Sequence, residues 1–181
     1  MYSMPLSDQW KAWVATEDKS MNVKAFAAFL EDRIEDIADP AGLKQDSPQR
    51  LLADRLGVRF AEPGQLMLVA RGLQVNVSRD VHNVANNDTG EIDVRFSETH
   101  GGHSVAGKAV TVPTMFLISI PVFRAGAPYY LPVRLRYQVA DDKLLWSVKL
   151  HGADVVFDHA FTEACDKAKT ETALPLIFGT P

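Results

Sequence analysis

The chain has 181 residues, of which 46% are hydrophobic and 23% charged, with a net charge of −4 and a pI near 5.7. That length supports one domain with its own core, and the acidic balance gives no global attraction to nucleic acid or anionic membrane. The single cysteine, Cys165, excludes an internal disulfide and a cysteine-based zinc site, and it fits a reducing compartment. The longest apolar run, Val110 to Phe123, is cut by Pro113 and Pro121 and is too short for a membrane helix. Met1 to Pro5 lacks the basic and apolar regions of a signal peptide.

Helical periodicity fills the first third. Ser7 caps a predicted helix over Asp8 to Val14, with Trp10 and Trp13 on one face. Asn22 caps the next, where Val23, Phe26, Ala27, Leu30, Ile34 and Ile37 recur at helical spacing until Pro40 ends it. Ser47-Pro48 sets a cap and an N1 proline before Leu51, Leu52, Arg55 and Leu56, and Gly57 stops that helix. Glu62-Pro63 repeats the start signal ahead of Leu66, Val69, Ala70 and Leu73.

From about Gln74 to Leu150 the period becomes two. Val75-Asn76-Val77 opens an alternating run, Asn86 to Gly90 is a turn of residues that accept positive φ, and Glu91 to Phe96 alternates without a slip. Met115 to Phe123 is nearly all apolar, while Val133, Leu135, Tyr137 and Val139 alternate with Arg134, Arg136 and Gln138. Asp141-Asp142-Lys143 turns the chain into Leu144 to Leu150. Glu98 to Ala109, with three glycines and two histidines, reads as the loosest segment.

Asp154 caps a last helix whose predicted buried face is Phe157, Ala160, Phe161, Ala164 and Ala168. The apolar tail Leu174 to Phe178 contains Pro175, which disfavours a central strand.

Helices, then strands, then a helix define an α+β class. The expectation is a single domain over residues 1–181, with a helical part at about 6–73, a sheet at about 74–151 and a final helix at about 154–169. The N-terminal helices pack on a four- to five-stranded antiparallel β-meander that the C-terminal helix closes. The predicted core is Phe26, Leu30, Ile34, Leu66, Val94, Phe96, Phe116, Ile118, Leu135, Tyr137, Trp146, Val148 and Phe161.

Several segments then carry a resemblance. They are Leu6-Ser7 followed by Trp10-Lys11-Ala12-Trp13, the run Phe26-Ala27-Ala28-Phe29-Leu30-Glu31-Asp32 continuing through Asp36-Ile37 to Pro40, and Leu68 to Val75. Further along stand Ile120-Pro121-Val122-Phe123 before a Gly-Ala-Pro-Tyr turn, Val133-Arg134-Leu135-Arg136-Tyr137, and the closing Phe178-Gly179-Thr180-Pro181. In this order the chain resembles roughly the C-terminal two-thirds of the DUF2303, or YfdQ-like, family of phage and prophage proteins. The resemblance implies a phage-borne protein, encoded near recombination and replication genes, in the cytoplasm of a bacterial host. It transfers no catalytic residue.

Three candidate sites follow from the residues. His100-Gly101-Gly102-His103 sets two imidazoles three apart, with Glu98 as a third donor, but a metal needs a positioned third ligand and the glycines serve a turn equally well. No metal and no cofactor are therefore expected. Glu31, Asp32, Glu35 and Asp36 belong to a stretch, residues 17–39, of net charge −4. With the apolar stripe facing inward, these acids are expected to face solvent and offer a surface to a basic partner.

Residues 104–151 carry +4, and Arg134, Arg136 and Lys149 form a basic sheet face with Tyr129 or Tyr130 at its rim, a platform for single-stranded nucleic acid. Cys165 beside Ala164 and Phe161 reads as an inert buried thiol. The sequence favours a non-enzymatic binding protein with a protein partner. A nucleic-acid-binding module is the first alternative and a metal-dependent enzyme using His100 and His103 the second. Self-association is open, and no membrane partner is expected.

Overall fold

The computed structural model describes the backbone at residues 4–75, 80–86, 92–100, 103–106, 110–140 and 143–175, and side chains at 4–71, 111–138 and 144–175. The helical part comprises α1 (Asp8–Thr16), α2 (Val23–Asp32), α3 (Pro48–Leu56) and α4 (Pro63–Val75), interleaved with the short strands β1 (Met21–Asn22), β2 (Ile37–Ala38) and β3 (Phe60–Ala61). There follow β4 (Asp80–Asn86), β5 (Ile92–His100), β6 (His103–Ala106), β7 (Val110–Val112), β8 (Met115–Pro121), β9 (Pro128–Ala140), β10 (Lys143–Leu150) and α5 (Ala153–Thr172). The α+β class holds.

Local signals set the helix ends. Ser7 Oγ accepts the Trp10 N–H at 3.0 Å, Asn22 Oδ1 that of Ala25 at 2.8 Å, and Ser47 Oγ that of Arg50 at 3.3 Å. Gly57 ends α3 at φ 63°, a left-handed backbone that glycine enters without a Cβ penalty. Ser7 also donates to the Pro121 carbonyl, and its N–H reaches the Val122 carbonyl at 2.9 Å. The start of the chain is thereby fastened to the end of β8.

The strands form two sheets, where the sequence predicted one meander. The first runs β1-β10-β9-β8-β2, with β3 parallel to β8; the second runs β4-β5-β6, with β7 also on β5. The consecutive antiparallel strands β8, β9 and β10 are the predicted meander, and the flanking two-residue strands are recruited from the helical region. Gln74 and Val75, predicted to open the sheet, finish α4 instead. The turn residues 87–90 and 141–142, the tail from 176 onward and the side chains of Val94 and Phe96 lie outside the described residues. The pairing of Asn86 with Ile92 still brackets the first of those turns.

Registered pairs Phe116↔Val133, Ile118↔Leu131 and Val148↔Leu135 place one face of the first sheet inward. Trp10, Trp13, Phe26, Leu30 and Leu66 close over it in one buried cluster. Ile34 and Tyr137 pack partly buried against that cluster. Met115 and Leu117, on the opposite face by alternation, are buried too; there α3 packs on β9 and Gln49 donates to the Tyr130 carbonyl at 3.1 Å.

Three expectations are corrected. The helix predicted to run to Pro40 ends at Asp32, continues as a 3₁₀ turn over Ile34–Asp36, and gives way to β2, where Ile37 pairs with Ile118. Pairing with β8 leaves Ile37 buried in the core. Phe161 is 38% exposed, so the inward side of α5 is the Ala160 and Cys165 side. Asp154 lies in the first turn of α5, and the cap position is Gly152 at φ 70°, without a side-chain cap bond. Cys165 is buried, as its apolar neighbours implied. Among the described residues no helix is long and apolar enough to cross a membrane.

Candidate functional site

The acidic candidates divide. Asp32 and Glu35 are exposed, but Asp36 is only 9% exposed, contrary to the prediction that it faces solvent. The 3₁₀ turn swings its carboxylate inward, where Oδ2 accepts the Trp13 Nε1–H at 2.9 Å and lies 3.8 Å from Arg33 Nη1. Trp13 itself is fully buried, so its indole N–H needs this acceptor. Asp36 is therefore committed to the fold; Asp32 and Glu35 remain of the predicted surface, and Glu31 is half-buried.

On the sheet, Arg134 and Arg136 are exposed on one face while Val133 and Leu135 are buried on the other, as the period predicts. Lys149 registers with Arg134 across β9 and β10. What sequence reasoning missed is the counter-charge. Glu17 and Asp18 lie along the edge of β10: the Asp18 N–H donates to the Val148 carbonyl at 2.9 Å, and Glu17 Oε1 accepts the Leu150 N–H at 3.2 Å. Asp18 sits at φ 55°, a left-handed backbone that aspartate tolerates better than most residues.

From there Lys149 Nζ reaches Glu17 at 2.9 Å and Asp18 at 3.0 Å, and Arg136 Nη1 reaches Asp18 at 3.6 Å. Hydrogen bonds that Lys149 donates to Glu17 and Asp18 hold its ammonium above its ordinary pKa. Two of the three predicted cations are thus matched by carboxylates.

For the histidine candidate, the backbone register sets His100 directly opposite His103, as partners closing β5 on β6. Their side chains lie outside the described residues. Among the described residues no three His, Cys, Asp or Glu side chains are grouped to hold a metal ion.

A feature without any motif is an open groove of about 730 Å³ between α5 and the turn joining β8 to β9. Phe123, Ala160, Ala164, Ala168 and Leu174 contribute its apolar lining, and Arg124, Glu163, Lys167 and Glu171 its charges. The lining residues of α5 recur at helical spacing, so a single helix face supplies one wall. At that wall Tyr129 donates a hydrogen bond to Glu163 Oε2, and His159 Nε2 lies 3.4 Å from Glu163 Oε1. Burial, and then the Glu163 carboxylate, push the Tyr129 phenol up to about 12, so at neutral pH it remains a neutral donor. Arg124, anchored to Asp8 at 3.2 Å, holds that carboxyl below its usual range.

These elements define an α+β domain with a two-sided sheet, a charge-compensated strand face and an apolar groove along its terminal helix. The chain belongs to the DUF2303 family, described as an uncharacterized conserved protein, whose family profile matches residues 1–181. No curated protein and no solved structure matches it.

Proposed function

We propose that this protein acts by binding another macromolecule and not by catalysis, as an accessory protein of a phage or prophage working in the bacterial cytoplasm. Its partner, on this reading, is a host or phage protein of recombination, replication or defence, seated in the α5 groove. The observation that carries the reading is the groove itself, whose alanines leave room for larger apolar side chains between charged walls. Leu174, 65% exposed on the groove wall, adds apolar surface just beyond the same helix. Contiguous apolar surface edged by charge is what an amphipathic helix or peptide recognises.

The test is capture of partners from a lysogen or infected cell with tagged protein, with and without nuclease. Wild type is expected to retain a protein partner after nuclease treatment, and Ala164→Arg, which fills the groove with a charged side chain, to lose at least nine-tenths of it. An unchanged melting temperature in the variant keeps the loss attributable to the groove. Retention of the partner by Ala164→Arg, or capture of nothing but more of the same chain, would contradict the proposal.

A further inference from the structure

Beyond the part that α3 covers, the Arg134 face of β9 and β10 offers a second binding surface, independent of the α5 groove. We infer that it takes the phosphodiester backbone of a single-stranded nucleic acid, with Arg134 and His151 as its phosphate contacts and Tyr130 as its stacking ring. Alternation along β9 puts Tyr130, Arg134 and Arg136 on one side. Lys149 faces Arg134 across the ladder, and the His151 N–H extends that pairing to the Pro132 carbonyl at 2.9 Å. His151 therefore follows Lys149 on the same side.

The four basic groups are not equivalent. Arg136 and Lys149 already have Asp18 and Glu17 within 3.6 Å or less. Arg134 is exposed and has no ion pair among the described residues. His151 Nε2 is buried without a hydrogen-bond partner. Burial, then the charges of Arg134, Arg136 and Lys149, lower the His151 pKa, with Glu17 opposing. An anionic oxygen between Arg134 and His151 would give the guanidinium a partner, satisfy the ring nitrogen and favour its protonation. Sheet faces that bind single strands combine such phosphate contacts with an aromatic ring. Tyr130, 38% exposed beside Gly42 and the start of α3, supplies one roughly 13 Å along the strand from Arg134. Tyr129 points the other way, to Glu163, which settles which tyrosine belongs to this face.

The test is a fluorescence anisotropy titration of the full chain with labelled oligodeoxythymidine at several salt concentrations. Arg134→Gln is expected to weaken binding about tenfold or more and to flatten the salt dependence by roughly 0.7 in log–log slope, one phosphate contact on a single strand. Lys11→Gln, altered at its Asp8 pair on α1 and outside both surfaces, should bind as wild type does. Binding should tighten between pH 8 and pH 6 in wild type and lose that dependence in His151→Gln, because phosphate favours the protonated ring. Three results would overturn the inference: no oligonucleotide binding by wild type, equal weakening by Arg134→Gln and Lys11→Gln, or Arg134-dependent binding to phosphatidylglycerol vesicles without binding to the oligonucleotide. Circular dichroism of each variant keeps a folding defect distinguishable from any of these.

Discussion

Trp13→Ala should lower the unfolding free energy by about 3–5 kcal/mol, the range for deleting a large buried aromatic side chain. Trp13 is fully buried, edge-on to Phe29 at 4.9 Å and tilted against Phe116 at 5.9 Å, so it joins α1 to both α2 and β8. Truncation leaves a cavity at that junction and strands the Asp36 carboxylate that its indole N–H satisfied. A domain of this kind is stable by about 5–15 kcal/mol, so the variant should melt far earlier than wild type. Trp13→Phe separates the two effects. It keeps most of the ring volume but removes the donor, and a cost of about 1–3 kcal/mol is expected from the unpaired carboxylate. Urea denaturation of both variants decides; Trp13→Phe unfolding at the wild-type midpoint would show that the Trp13–Asp36 bond does not hold the 3₁₀ turn in place.

Phe26→Ala is expected to cost a similar amount, about 3–5 kcal/mol. Phe26 is fully buried and stacks on Trp146 with centroids 5.0 Å apart and planes only 10° from parallel. That stack fastens α2 to the inner face of β10 and adds to the area term about 0.5–1.5 kcal/mol of ring–ring contact. The partner ring gives a contrast with Trp13: Trp146 Nε1 is buried with no hydrogen-bond partner among the described residues. Trp146→Phe should consequently cost less than Trp13→Phe, since no acceptor loses its donor. Equilibrium unfolding of the pair, compared side by side, checks the ordering, and the reverse order would refute this account of the two tryptophans.

What the sequence disclosed and what it hid follow one physical division. Ser7, Asn22, Ser47 and Gly57 were legible because capping is local: the side chain and the backbone group it satisfies lie within one turn. Alternation from Val133 to Gln138 was legible because one face of β9 is buried and the other wet. The break after Asp32 was hidden because Ile34 and Ile37 keep helical spacing while being buried for other reasons, one against the core and one in β2. Strands of two residues, such as β1, β2 and β3, have no period to detect.

The basic face was half legible. Arg134, Arg136 and Lys149 share a side as predicted, yet the carboxylates that compensate two of them come from Glu17 and Asp18, over a hundred residues away along the chain. Counting charge by segment assigned those acids to a different surface altogether. Similarly, the groove was invisible because Ala160, Ala164 and Ala168 look like an ordinary core stripe. Only Ala160 is fully buried, and the space above the others is created by the β8–β9 turn.

On the proposed reading, the groove beside α5 receives a protein partner. Amide hydrogen exchange of the full chain, alone and with the partner captured by wild type, tests it most directly, because slowed exchange maps the covered backbone. New protection is expected in residues 160–172 and 123–129, with the exposed acids at Asp32 and Glu35 and the strand face at Arg134 unchanged. Protection confined to those acids or that strand face, with α5 exchanging as it does alone, would contradict it.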